Sequence, residues 1–322
     1  MIEILLFRLN VAISQGVRMK EEKVNFYSVG TRCSGLVWLP DDYKEGEKRA
    51  GIVIARGFGA PKEFVSPGFA KELTAEGYVA FGFDYRGIGE SDGTPGRIVP
   101  LEQAEDLRNA LAYLKTRNEV DPKRVGLFGD CEGGAHAIYV AGTYPKVQCL
   151  VVMNAAGHFD RWMRACWGYE RYKKWQKRID EDRKNRVLTG KSCECNVGEF
   201  LTWGEEEKKD WKILLEKFGK PKGLGGAISV EVVEENLHYV PESVIDQIEC
   251  PIFLTAPEIS IVVPWEETVS MYNLAKEPKK MWIMGADVVS SRYGAHKYGE
   301  GYIKPMSDAF ISWFKQCLPP CV

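Results

Sequence analysis

This chain has almost no excess charge of either sign. Its 43 lysines and arginines are matched by 45 aspartates and glutamates, for a formal net charge of −2. It therefore carries no field that would draw in nucleic acid or an anionic membrane. It contains no phosphate-binding loop, dinucleotide fingerprint, zinc-finger spacing or internal repeat, so neither a metal nor an organic cofactor is expected. No apolar run approaches the length of a membrane span. The apolar start, MIEILLFRLNVAISQG, is broken by Glu3 and Arg8 and lacks a basic leader and a small-residue cleavage site. A cytoplasmic protein without a signal peptide is the expectation. Histidine is scarce, with four copies. Cysteine is not, but nine is an odd number, and the chain is too long to need disulfide staples. Most of these thiols read as reduced core or surface residues.

The chain has 322 residues, 45% hydrophobic and 27% charged, which is ordinary globular composition. Residues 22–39 read as an antiparallel strand pair. After them, short apolar runs alternate with amphipathic helical stretches: GIVIA (51–55), YVAFGFD (78–84), RVGLFGD (124–130), CLVVMNA (149–155), PIFLTA (251–256) and KMWIMGA (280–286). That rhythm predicts a mostly parallel sheet covered by helices on both faces. Leu101, Ala104, Leu107, Leu111 and Leu114 recur three or four residues apart and predict one apolar helix face. Pro122 is expected to reset the chain before the next strand. A last helix, 303–317, presents Met306, Phe310, Trp313 and Phe314 on one side. The rhythm breaks over 158–248, far longer than a simple crossover and rich in Trp, Tyr, Lys and Glu. This segment is expected to be a helical cap inserted into a core formed by 1–157 and 249–322, with GKPKGLGG (219–226) as a loop within it.

The strongest chemical signal is Gly129-Asp130-Cys131-Glu132-Gly133-Gly134, between the strand RVGLF and the helical run AHAIYVAG. This is a nucleophile elbow in its strand–turn–helix setting. The nucleophile sits on a strained turn, and side chains at the flanking glycines would collide with nearby backbone. The helix that follows points its N-terminus at the nucleophile, favouring a thiolate and an oxyanion. Arg56-Gly57-Phe58-Gly59 follows the strand GIVIA directly, and Asp84-Tyr85-Arg86-Gly87-Ile88-Gly89-Glu90-Ser91 follows YVAFGFD.

Together these motifs, spread over residues 30–317, resemble the α/β-hydrolase superfamily. The resemblance is nearest to the dienelactone hydrolase and prolyl-oligopeptidase-like esterase branches. Dienelactone hydrolases also use a cysteine in a G-x-C-x-G-G elbow, matched here by Cys131, and bile-acid-CoA acyltransferases and related thioesterases resemble the chain in using cysteine. The resemblance implies an α/β-hydrolase fold with a mostly parallel eight-stranded sheet and an inserted helical cap. It implies an oxyanion hole made by the backbone N–H groups of Phe58 and Glu132, with Arg56 where many relatives carry histidine. It also implies that Asp84 and Arg86 hold loops together.

A cysteine nucleophile needs a base. His296 follows the last strand, where such folds carry the catalytic histidine, in the run His296-Lys297-Tyr298-Gly299-Glu300-Gly301-Tyr302. His136 falls in the helix after the elbow and reads as packed, His158 follows CLVVMNA at the active-site end of the sheet, and His238 lies near the end of the cap. The acid departs from the family pattern. Ser260 occupies the aspartate position ahead of the Val263-Pro264 anchor, with Glu258 two residues earlier and Asp287 after the next strand as alternatives. A dyad without an acid is also chemically tolerable, because a thiol ionises more easily than a hydroxyl.

The cap carries Trp162, Trp167, Tyr169, Tyr172, Trp175, Trp203 and Trp211. Aromatics this dense suit a pocket for an apolar or ring-containing small-molecule substrate, with Arg56, His158, Trp162 and Trp167 lining it. Packing of the cap on the core, or a homodimer surface, explains them equally well. Three functions follow. The first is hydrolysis of an ester, lactone or thioester through an acyl-Cys131 with His296 as base. The second is acyl transfer or cyclisation at the same cysteine. The third is a repurposed lyase or receptor.

Overall fold

The apolar runs become strands buried on both faces. In the computed structural model, which describes residues 19–64, 66–144, 146–201, 227–258, 260, 262–285 and 304–321, every residue of β3 (Arg49–Ala55), β4 (Val79–Phe83) and β6 (Leu150–Met153) is buried. That is why they read as unbroken apolar stretches and not as alternating ones. With β1 (Met19–Ser28), β2 (Thr31–Pro40), β5 (Val120–Asp130), β9 (Ile252–Pro257) and β10 (Lys279–Met284) they form one eight-stranded sheet in the order β1-β2-β4-β3-β5-β6-β9-β10. The β1–β2 and β2–β4 pairings are antiparallel and the rest are parallel. The antiparallel pair turns through Val29 and Gly30, both at positive φ (49° and 79°), the conformation that a two-residue hairpin turn requires.

Helices cover the sheet: α1 (Ser66–Ala75), α2 (Pro100–Thr116), α3 (Glu132–Thr143), α7 (Trp265–Leu274) and α8 (Lys304–Cys317). Met306, Phe310, Trp313 and Phe314 of α8 are all buried, as their spacing predicts. Two local expectations fail. Leu101 is 53% exposed, so it falls off the buried face of α2, which runs from Pro100 and Ala104 through Leu107 and Leu111 to Leu114. Pro122 does not precede β5 but lies inside it. The β3–β5 register slips there, with Arg49 opposite Val120 and Gly51 opposite Val125, and such an irregularity tolerates a residue without an N–H.

Between β6 and β9 the chain runs through α4 (Phe159–Thr189), β7 (Glu194–Asn196), α5 (Val197–Phe200), β8 (Ala227–Ser229), α6 (Val230–Leu237) and a 3₁₀ helix (Pro241–Gln247). α4 bends at Gly168, whose φ of 67° breaks the helical backbone. Its Trp162, Trp167, Tyr172 and Trp175 are buried in one apolar cluster continuous with β3, β5 and β6. Arg161 ties the start of α4 to the core through charge-assisted bonds to Glu242 (2.7 Å) and Glu267 (2.7 Å). Glu267 also accepts the Gly157 and His158 backbone N–H groups (3.0 and 3.1 Å). No helix among the described residues is long and apolar enough to cross a membrane.

Candidate active site

β5 ends at Asp130, and Cys131 turns the chain into α3 with φ 55° and ψ −123°. A non-glycine residue in that region is held there by its surroundings. Its N–H donates to the Met153 carbonyl (2.9 Å), and its carbonyl accepts from the Gly134 and Ala135 N–H groups (3.0 and 3.2 Å). The glycines are there because of close backbone approach. A methyl group on Gly133 would lie 2.4 Å from the Ala55 carbonyl oxygen and 2.5 Å from that of Arg56. One on Gly57 would lie 2.9 Å from Cys131 Cβ and 3.5 Å from its Sγ. The Arg56–Gly59 loop therefore rests directly on the candidate nucleophile, at the carboxyl ends of the strands where open α/β sheets bind ligands.

Several buried groups fix that loop. Arg56 Nη1 lies 3.0 Å from Asp130 Oδ2, both side chains almost wholly buried, so the arginine links the loop to the elbow. Lys62, fully buried, donates its backbone N–H to Asp84 Oδ1 (2.7 Å) and its ammonium to Asp84 Oδ2 (2.8 Å). Arg86 pairs with Asp106 at 2.6 Å. Asp84 and Arg86 thus hold loops, as the resemblance implies.

Beside Cys131 lies a buried polar cluster. Glu132, 4% exposed, has no partner for Oε1, and burial pushes its carboxyl up to about 8. Burial and the Glu132 charge raise Tyr85 and Tyr239 well above the usual phenol range. His136 is packed, as expected. It lies 3.2 Å from the Tyr239 hydroxyl and 3.1 Å from Gln103 Oε1, and burial lowers it to about 3.

Of the residues singled out by sequence, the structure brings together Arg56, Phe58, Cys131 and Glu132. Trp167 connects to them through aromatic contacts. Phe58 packs on Phe200 (5.6 Å between ring centroids), and Phe200 meets the edge of Trp167 (6.1 Å). Trp162 donates its indole N–H to the Val262 carbonyl, which also accepts from Cys166, so α4 docks on the loop after β9. His158 caps α4, its ring accepting the Arg161 N–H. Glu258 stands exposed at the end of β9, and Ser260 Oγ accepts the Val263 N–H (3.2 Å). His296, Asp287, Trp203, Trp211 and the loop 219–226 lie outside the described residues.

Known proteins share this fold. A family model described as serine aminopeptidase, S33, matches residues 46–189. The crystal structure of the alpha/beta hydrolase GrgF from Penicillium superposes with a TM-score of 0.74 at 21% identity, over 93% of this chain and 99% of that one. The chain has the α/β-hydrolase fold. In sequence, GrgF, named a polyketide transferase, is 25% identical over 263 residues, covering 79% of this chain and 85% of its own. An uncharacterized 31.7 kDa protein from the traX-finO intergenic region of Escherichia coli is 26% identical over 268 residues, 83% of this chain and 91% of that protein. The thiohydrolase apmlB of Arthrinium phaeospermum is 36% identical over 136 residues, 42% and 43% of the two chains.

Sequence reasoning did not single out Asn154, Tyr85 or Tyr239 as site residues. Asn154 had a readable signal: an asparagine closing a buried strand, the residue type that most readily accepts positive φ. The two tyrosines had none, since only the fold brings them to Glu132.

Proposed function

We propose that this chain hydrolyses esters, lactones or thioesters of small to medium apolar or aromatic acids through an acyl-cysteine at Cys131. The observation that carries the reading is the elbow itself: Cys131 at φ 55° on the strand–helix turn, with Gly57 of the oxyanion loop packed against its Sγ. In the first step His296 takes the thiol proton and Sγ attacks the substrate carbonyl carbon. The Phe58 and Glu132 backbone N–H groups hold the oxyanion. The tetrahedral adduct collapses, the carbonyl–leaving-group bond breaks, and the leaving alcohol or thiol receives the proton from His296. Water, deprotonated by the same histidine, then releases the acid and restores the thiol. The 158–248 segment serves as a cap, with Trp162 and Trp167 on the substrate's apolar body. The names of the similar thiohydrolase and polyketide transferase agree with acyl chemistry on a thioester.

The transferase among those relatives supports a second reading, in which an amine or alcohol replaces water as acyl acceptor. Intact-mass measurement with a 4-nitrophenyl ester and an S-acyl-N-acetylcysteamine thioester separates the two. The wild type is expected to gain one acyl group that water clears, and Cys131→Ala to gain none and turn over neither probe. An adduct cleared only by added amine or alcohol would favour transfer. Undiminished turnover by Cys131→Ala would remove the cysteine from the mechanism.

A further inference from the structure

The candidate active site does not account for a second opening in the molecule. A cleft of about 250 Å³ lies beside the first turn of α2, between α3 and the end of α6. It is lined by Pro100 and Leu101 of α2, Tyr139 of α3, Glu235 of α6, and Tyr239 and Ser243 beyond it. None of Cys131, Arg56 and Phe58 lines it. Tyr239 stands between the two places: it lines the cleft, and its hydroxyl lies 3.2 Å from His136 Nδ1 in the buried cluster beside Glu132. The volume falls a little short of the roughly 300 Å³ at which drug-sized pockets begin, so the cleft suits a small molecule.

Its lining combines apolar surface with hydrogen-bond acceptors. Leu101 is 53% exposed, an apolar side chain left open beside a helix that buries its others. The Tyr139 and Tyr239 rings meet at 5.7 Å, and aromatic faces attract a cation. Glu235 is half-buried, and among the described residues no cation pairs with it. Glu231, one turn earlier on α6, takes Arg97 (3.2 Å), which Glu102 also holds (2.8 Å). Ser243 gives its hydroxyl hydrogen to the Val240 carbonyl (2.6 Å), so its oxygen offers only lone pairs. The cleft also lies at the C-terminal end of α6, whose carbonyl dipoles favour positive charge. The first turn of α2 would favour the opposite sign, but Pro100 has no N–H there and Glu102 adds a carboxylate.

We propose that this cleft is a second ligand site, taking a small primary amine in its protonated form. The ammonium group sits on Glu235 and the Ser243 oxygen, which suit its three N–H donors. The hydrocarbon or aromatic body lies on Pro100, Leu101 and Tyr139. The Glu235 charge disfavours an anion. A neutral alcohol of the same shape forgoes the ion pair and the attraction to the rings. The site is independent of the chemistry at Cys131.

Calorimetric titration of the full chain with benzylamine near neutral pH tests this, with benzyl alcohol and benzoate as the neutral and anionic counterparts. Benzylamine is expected to bind at a single site, and the other two at least about fivefold more weakly. Glu235→Gln should weaken benzylamine about fivefold and erase its advantage over benzyl alcohol. Leu101→Arg, a change at an exposed position, should abolish binding by placing a guanidinium in the cleft. His238→Gln, beside Glu235 in the cleft lining, should alter affinity by less than about twofold. No saturable binding of benzylamine, or equal binding of all three probes, would overturn the proposal. Wild-type affinity in Glu235→Gln, or a loss found with His238→Gln instead, would do the same. Unchanged affinity in Leu101→Arg would place the amine elsewhere and overturn it too. Should Leu101→Arg fail to fold, Glu235→Gln decides alone. The readout is binding and not turnover, so failure of the acyl-cysteine reading would leave this test intact.

Discussion

Glu132 is a carboxyl held in its neutral form one residue from the candidate nucleophile. Its backbone N–H is the proposed oxyanion donor, while its side chain is buried beside Tyr85 and Tyr239. Below about 8 the carboxyl keeps its proton and adds no charge to the site. Above that value it ionises, and a carboxylate then opposes both the thiolate and the oxyanion in a medium that screens poorly. Turnover is therefore expected to fall as pH rises through about 8. Glu132→Gln, neutral at every pH and equal in shape, should remove that alkaline limb. A pH–kcat profile of the variant with the limb unchanged would show that another group is responsible.

The elbow works as an element because two backbones approach closely. Gly133 opens α3, and the carbonyls of Ala55 and Arg56 leave no room for a methyl group above it. Neither neighbour is the movable end of a side chain, so relief requires the oxyanion loop to shift as a whole. Gly133→Ala is expected to lower stability by about 1–3 kcal/mol and to reduce turnover further than that loss explains. Urea unfolding and kcat measured on the same preparation check this. A destabilised variant with wild-type kcat would mean that the loop's position does not matter to the chemistry. The aromatic contacts from Phe58 through Phe200 to Trp167 carry the same loop's packing into the 158–248 segment.

On the scale of the whole molecule, two buried titratable groups bend the pH dependence of stability in opposite senses. The Glu132 pKa is raised by folding from 4.5 to about 8. Its contribution is complete below the unfolded value and is lost as pH rises through the folded one. The His136 pKa is depressed from 6.5 to about 3. Its contribution is complete above the unfolded value and is lost as pH falls through the folded one. Between them they favour mildly acidic conditions. The two slopes oppose each other between 4.5 and 6.5, so Glu132→Gln should abolish the decline in urea midpoint between 6.5 and 8 and leave the side below 4.5 unchanged. An identical slope in variant and wild type would mean that Glu132 is already ionised in the folded protein.

The sequence by itself determined the parallel sheet, the elbow and the loop that rests on it. Those depend on short-range pattern: continuous apolar runs between breaks, and glycines where backbone must pass backbone. It also carried the serine at position 260 ahead of Val263-Pro264, since that is a matter of residue identity at a spacing. Tertiary structure alone decided the rest. Pro122 entered β5 because the neighbouring strand could slip in register, and Leu101 was left exposed because it points away from the side of the first turn of α2 that buries Pro100, Gln103 and Ala104. Arg56 found Asp130, and Glu132 found Tyr85 and Tyr239, across separations no local pattern encodes. The residue type of Asn154 is written in the chain, but its burial, its unpaired Oδ1 and its place between Cys131 and β9 exist only once the strands lie side by side.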